Sequence, residues 1–196
     1  MKVLVACEFS GRVRSEFEKL GHDAVSCDLL PTEIPGNHYE GDIMDILHVE
    51  HWDMMIAHPP CTYLSTAGNR VWNVPGRAEL REAAYRFVMT LAEADIPRIC
   101  IENPVGYLNS AWRKPDQIIH PYYFGEPVLK RTCLWLKDLP PLMATGITNY
   151  PRPVKLGSGG RRVNFTEACS GSDRAKARSR TFHGIAAAMA LQWGGS

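Results

Sequence analysis

Lys2-Val3-Leu4-Val5-Ala6-Cys7, followed by Glu8-Phe9-Ser10-Gly11 and then by Arg12 to Leu20, is the stretch that decides the fold. The run up to Cys7 is apolar and rich in β-branched residues, as a buried strand requires, and Val13, Phe17 and Leu20 then recur at helical spacing before Gly21 stops the helix. The unit repeats down the chain. Ala24 to Cys27 reads as a second short strand ending at Asp28, with Pro31, Pro35 and Gly36 marking a loop. Asp53 to Ala57 reads as a buried strand, Arg77 to Ala94 as a helix carrying Leu80, Ala84, Phe87 and Leu91, and Arg98 to Ile101 as another short apolar strand. Alternation of this kind predicts an α/β fold, a mostly parallel sheet with helices on both faces, whose ligands bind at the carboxyl ends of the strands.

The rest of the chain is less regular. Lys130 to Leu136 reads as a strand, and Asp173 to Trp193 as an Ala-rich helix. Between them, 140–171 is rich in Pro, Gly and Ser and too long for an ordinary connection, so it reads as either a binding loop or a mobile segment. A length of 196 residues suits one domain, 1–196, and 45% apolar with 22% charged residues excludes disordered and fibrous classes. With no apolar run of membrane-spanning length and no signal-peptide pattern, we expect a cytoplasmic protein with no membrane partner. The six cysteines are scattered without a C-x-x-C pair and read as reduced thiols, and His51, His58 and His120 lack metal-ligand spacing, so no metal is expected.

The net charge of +1 hides an asymmetry: residues 1–60 carry 4 basic and 11 acidic side chains, and residues 152–180 carry 8 basic and 2 acidic ones. Arg152, Lys155, Arg161, Arg162, Arg174, Lys176, Arg178 and Arg180 can neutralise several phosphates, which points to a nucleic acid or nucleotide partner, against the plainer reading of a solvated loop.

Three strand ends carry chemistry. Glu8-Phe9-Ser10-Gly11, His58-Pro59-Pro60-Cys61 and Glu102-Asn103-Pro104 should open onto one crevice. Carboxylates at Glu8 and Asp28 suit the ribose hydroxyls of an adenosine cofactor, although G-x-G-x-x-G and the Walker lysine are both missing. Two prolines make a rigid turn in front of Cys61, a place for a nucleophile, whereas Cys7 and Cys100 lie within apolar runs like structural cysteines. Glu102, directly after an apolar strand, is expected to be partly desolvated with a raised pKa and to act as a proton donor. Tyr63 and Trp72 lie in a 62–76 loop whose Gly68 and Gly76 suit a lid, while Trp112, Trp135 and Trp193 read as packing residues.

HPPCTYLS at 58–65 resembles the Pro-Cys motif of DNA cytosine-5 methyltransferases, and IENP at 101–104 resembles their Glu-Asn motif. ACEFSGRV at 6–13 is similar to their cofactor loop, Gly41-Asp42-Ile43 to their third cofactor motif, and RSRTFHGIAAAMALQWG at 178–194 to their last helix, which returns beside the first motif. Taken together, the chain resembles the short methyltransferase-like proteins of bacteriophages. The resemblance implies a Rossmann-like, S-adenosyl-L-methionine-dependent methyltransferase fold. It also implies a cofactor site at Glu8, Phe9, Ser10, Gly11, Asp28, Asp42 and Pro59, with Asp28 on the ribose and Asp42 on the adenine amino group.

The implied reaction is methyl transfer to carbon 5 of cytosine in DNA. Cys61 adds to carbon 6 while Glu102 serves ring nitrogen 3, and Arg131 supplies a cation to the cytosine carbonyl. The family places two arginines one residue apart at the last position, where this chain has Arg131 and Cys133. A sizeable target-recognition domain in the family is replaced here by a basic Pro/Gly-rich insert at 140–180. Three rivals remain: alkylation of a free pyrimidine nucleotide at carbon 5, an exocyclic-amine methyltransferase, and a non-catalytic nucleic-acid-binding accessory protein of the same fold.

Overall fold

The computed structural model describes residues 1–66, 74–147, 154–155, 162–163 and 174–195. Its centre is a seven-stranded sheet in the order β3-β2-β1-β4-β5-β7-β6, formed by β1 (Lys2–Ala6), β2 (Asp23–Asp28), β3 (His38–Glu40), β4 (Met54–Ala57), β5 (Arg98–Pro104), β6 (Gln117–Ile119) and β7 (Thr132–Lys137). The strands from β3 to β5 run parallel, and β7 is antiparallel to both β5 and β6. The main helices are α1 (Arg12–Lys19), α2 (Arg77–Ala92), α3 (Leu108–Ala111), α4 (Arg174–Ser179) and α5 (His183–Gly194). A separate pair, β8 (Val154–Lys155) and β9 (Arg162–Val163), is antiparallel. The fold is thus α/β with a mixed, mostly parallel sheet.

Side-chain alternation divides the core. Val3, Val5, Met54, Ile56, Cys100 and Leu134 face Val13 and Phe17 of α1 and Ile185, Met189 and Trp193 of α5. Leu4, Ala6, Met55, Ala57, Ile99, Ile101 and Trp135 face Val88 and Leu91 of α2 and Leu108 of α3. A fully buried apolar side chain of this size contributes about 1.5–3 kcal/mol, so strands covered on both faces form the stable floor from which the loops project. Trp112 stacks on Trp135 at 5.8 Å and Trp193 is fully buried, in keeping with packing roles. No helix of the described residues is long and apolar enough to cross a membrane.

Several boundaries differ from the sequence reading. β5 runs on to Pro104 because β7 pairs along Ile99 to Pro104, so Glu102 and Asn103 lie inside the strand and not after it. The single C-terminal helix is two, broken at Arg180–Phe182. The short strands β3 and β6 have little apolar pattern of their own and exist through pairing with β2 and β7. Much of the 140–180 insert, namely 148–153, 156–161 and 164–173, lies outside the described residues, as do Gly68 and Trp72.

Candidate active site

Sheet order reverses between β1 and β4, since β1 leads on to β2 and β3 while β4 leads to β5. Adjacent loops diverge at such a point and leave a crevice at the carboxyl ends. A cavity of about 400 Å³ opens there, with Asp28, Asp42 and Cys7 on one side and Pro60, Tyr63, Leu80 and Phe87 on the other. Asp28 accepts from the Leu30 amide at 3.0 Å, and burial raises its pKa against that hydrogen bond and the nearby His38. Asp42 caps a short 3-10 turn by accepting from the Met44 amide at 3.0 Å. Two carboxylates on the rim of a largely apolar cavity are suited to the hydroxyls and amino group of an adenosine.

The remaining residues expected at the cofactor are held by contacts within the protein. The backbone turns left-handed at Cys7 (φ 58°), which ends β1 and sends Glu8 inward. The Glu8 carboxylate, on a residue 3% exposed, accepts from Ser10 Oγ at 2.9 Å, the Val13 amide at 2.8 Å and the Arg14 amide at 3.4 Å. Glu8 and Ser10 therefore satisfy the first turn of α1, and it is Asp28 that lines the cavity. Gly11 (φ 70°) makes that turn, and a Cβ there would lie 2.8 Å from the Arg14 guanidinium. Phe9 is buried beneath Arg180, whose guanidinium lies 5.9 Å from the ring and which pairs with Glu33 at 2.6 Å. Pro59 is buried, and its neighbour Pro60 lines the cavity.

Beyond the cavity, the carboxyl ends of β4 and β5 hold the reactive groups. The His58 amide donates to the Ala6 carbonyl at 2.9 Å, and Asn103, 1% exposed, donates from Nδ2 to the Pro59 carbonyl at 2.8 Å. The two prolines are thus tied to β1 and β5. The Leu64 and Ser65 amides both donate to the Cys61 carbonyl, and the Tyr107 amide donates to the Leu64 carbonyl at 2.7 Å. A Cβ on Gly106 would lie 2.0 Å from that carbonyl, so glycine is needed for the approach. From α2, Arg77 donates to the Thr62 carbonyl and Arg81 to the Tyr63 carbonyl, each at 3.1 Å. The residues at 61–65, at the start of the expected lid, are held on three sides.

Cys61 is exposed on this turn. Partial desolvation in the cleft, followed by the Glu102 carboxylate, pushes its thiol above the ordinary range, while Lys130 and Arg178 pull the other way. Glu102 departs from the expected raised pKa. Burial does raise it, but the His58 hydrogen bond and the Lys130 charge lower it more, and the carboxyl ends below its ordinary value. His58 Nδ1 lies 3.1 Å from Glu102 Oε2, and the two side chains are 6% and 17% exposed.

Of the two neighbouring cations, Lys130 is the one whose charge acts on this pair. Successive side chains of an extended chain alternate, and the exposed Arg131 acts on His120 and Cys133. Lys130 acts on Cys61 and Glu102 and donates from Nζ to the Arg178 carbonyl at 3.0 Å. Sequence reading passed over His58 as an ordinary histidine and over Lys130 as the neighbour of an arginine. Adjacency to the Pro-Pro turn was the available signal for the first, and strand alternation for the second. Among the described residues no three His, Cys, Asp or Glu side chains come together as a metal site requires.

No protein-family model matches the chain, and no curated protein matches it. Among solved structures it is similar to a chain in "Co-crystal structure of WbdD and kinase inhibitor LY294002", with 13% identity and a TM-score of 0.39. The match covers 80% of this chain, which spans 40% of the length of that one.

Proposed function

We propose that this protein is an S-adenosyl-L-methionine-dependent methyltransferase acting on carbon 5 of cytosine in DNA through a covalent Cys61 adduct. The observation that carries this reading is the position of Cys61, on a proline-fixed turn directly after Pro60, which lines the cavity with Asp28 and Asp42, and close enough to the half-buried Glu102 for its charge to act on the thiol. Both carboxylates fit an adenosine group, with Asp28 and Asp42 as its hydrogen-bond partners. When bound, that cofactor supplies the electrophilic methyl group.

The chain's own residues prepare the base. Cys61 Sγ, as the thiolate, bonds to carbon 6, the C5–C6 π pair shifts to C4–C5, the C4–N3 π pair moves onto nitrogen 3, and that pair takes a proton from Glu102. Lys130 supplies the cation for the pyrimidine carbonyl in place of Arg131. This step needs a thiolate and a carboxylic acid together, yet the thiol lies above and the carboxyl below its ordinary range. The reactive pair is therefore a minor form of the free protein. kcat/KM should rise with pH up to the Glu102 pKa, stay level, and fall above the Cys61 pKa.

Exposed Lys176 and Arg178, with the other cations of 152–180, support phosphate contacts, which position a nucleic acid without reading its sequence. A duplex target has to be flipped out to reach Cys61. The 140–180 insert stands in for a target-recognition domain within a single 1–196 domain. Its shortness favours a free pyrimidine nucleotide as the second reading.

Labelled methyl donor offered with single-stranded DNA, duplex DNA, RNA or free dCMP separates these substrates. A 5-fluorocytosine substrate should trap the adduct with the cofactor present, because fluorine replaces the hydrogen that must leave carbon 5. Cys61→Ser should abolish both turnover and adduct while calorimetry with the cofactor product stays nearly unchanged. Undiminished methyl transfer by Cys61→Ser overturns the covalent mechanism and promotes the exocyclic-amine reading. Bound cofactor with no cytosine substrate accepted favours the accessory protein.

A further inference from the structure

His58 stands at a point the reaction does not yet use. Its side chain is 6% exposed, Nδ1 faces Glu102 Oε2 at 3.1 Å, and Nε2 is buried with no hydrogen-bond partner among the described residues. Register explains the contact: Ala57 pairs with Ile101 across the parallel β4 and β5, so the next step sets His58 beside Glu102. The carboxylate, an acceptor, assigns the hydrogen to Nδ1. Oε2 is thereby occupied and Oε1 left for a ligand, since no donor among the described residues reaches it.

We propose that His58 is the positioning residue of this site: its Nδ1–H orients Glu102, leaves Oε1 for nitrogen 3 of the pyrimidine, and stabilises the carboxylate that remains once the proton has passed to the base. This rests on the cytosine reading for its substrate, while the His58–Glu102 link stands apart from it. The balance is simple. One proton leaves Glu102 Oε1 for nitrogen 3 as the Cys61–C6 bond forms, it returns when that bond breaks, and His58 keeps its own hydrogen throughout. The titratable and charged groups whose charges couple to the carboxyl are His58 and Cys61 after β4, Cys100 within β5, Lys130 just before β7 and Cys133 within it, with Arg178 acting on Cys61. Of these, His58 makes the hydrogen bond.

The test compares wild type, His58→Leu and His58→Gln by two readouts. Activity on a cytosine oligonucleotide should fall about 10- to 100-fold in kcat for His58→Leu, in the range of a lost hydrogen bond to a charged group, with KM little changed. The acidic limb of its kcat/KM profile should move to higher pH, because the Glu102 pKa rises when its donor is removed, and His58→Gln, which keeps an N–H donor, should recover most of the rate. Independently of activity, carbon NMR should show the Glu102 carboxyl titrating higher in His58→Leu. In wild type, nitrogen NMR should show the His58 hydrogen on Nδ1. An unchanged Glu102 titration with an unchanged acidic limb overturns the proposal, and so does a wild-type hydrogen on Nε2. If wild type methylates no cytosine but the carboxyl still shifts, the cytosine reading fails and the pairing stands. If wild type is active and the shift is absent, the reverse holds. Should His58→Leu not fold, the wild-type nitrogen spectrum and His58→Gln decide the matter.

Discussion

Glu8 follows the end of β1 by two residues and Glu102 lies two residues before the end of β5, both on the same rim of the sheet, yet their surroundings differ in kind. Among the described residues Glu8 is enclosed by three donors from Ser10 and the start of α1, whereas Glu102 has one donor, His58, and keeps part of its side chain exposed. The cause is what the chain does next. On either side of Glu8 the left-handed residues Cys7 and Gly11 fold the N-terminus of α1 back over the carboxylate, and its unpaired amides claim it. Glu102 sits within β5, whose backbone groups are taken by β4 and β7, so no helix start is brought to it. A carboxylate at a strand end becomes structural when a helix N-terminus closes on it and stays available for chemistry when a neighbouring strand, here β7, continues past it.

The largest effect that would break this contrast is catalytic. Glu102→Gln should lower the rate of methyl transfer by about 10²- to 10⁴-fold, the usual worth of a positioned acid, with the melting temperature nearly unchanged. If Glu102→Gln retains full rate on a substrate that wild type methylates, Glu102 is not the acid. Glu8→Ala should do the opposite. Three donors of the α1 turn lose a charged acceptor, and denaturant unfolding should show a loss of about 2–3 kcal/mol, with activity per folded molecule largely kept. A stability equal to wild type would remove Glu8 from its structural role.

Asp28→Asn sharpens the comparison at a third strand end, where the carboxylate lines the cavity. Calorimetry with the cofactor product should show binding weakened about tenfold, the scale of one charge-assisted hydrogen bond, and Glu8→Gln should weaken it less. The smallest effect is on acid stability. The folded pKa of Glu102 lies below its unfolded value, so its contribution is fully present above the unfolded value of about 4.3 and is lost as pH falls through the folded one. Melting temperature against pH should therefore decline less steeply in Glu102→Gln than in wild type over that acidic window, and parallel curves would count against the lowered pKa.

The alternation of strands and helices was legible because it is local: Val3, Leu4 and Val5, or Val13 and Phe17, announce their element by spacing alone. For the same reason the strand-end placing of Asp28 and the Pro-Pro-Cys turn could be read directly, and both meet at one crevice. Strand order and register were not legible, because they depend on contacts between residues far apart in the chain. β5 lengthened because β7 paired with it, β3 and β6 formed at the sheet edges, and the charge that acts on Glu102 is that of Lys130.

Sequence by itself determined the α/β class and brought Cys61 and Glu102 forward as reactive types, since apolar period, proline turns and residue chemistry are properties of short segments. Tertiary structure decided which carboxylate is spent on a helix start and which faces the cleft. It also decided that Glu102 is held below and Cys61 above its ordinary pKa, and that His58 is the partner of Glu102. The physical reason is that desolvation, hydrogen bonding and charge coupling act through distances set by the packing of β1, β4, β5 and β7, and those distances are written in no single segment of the chain.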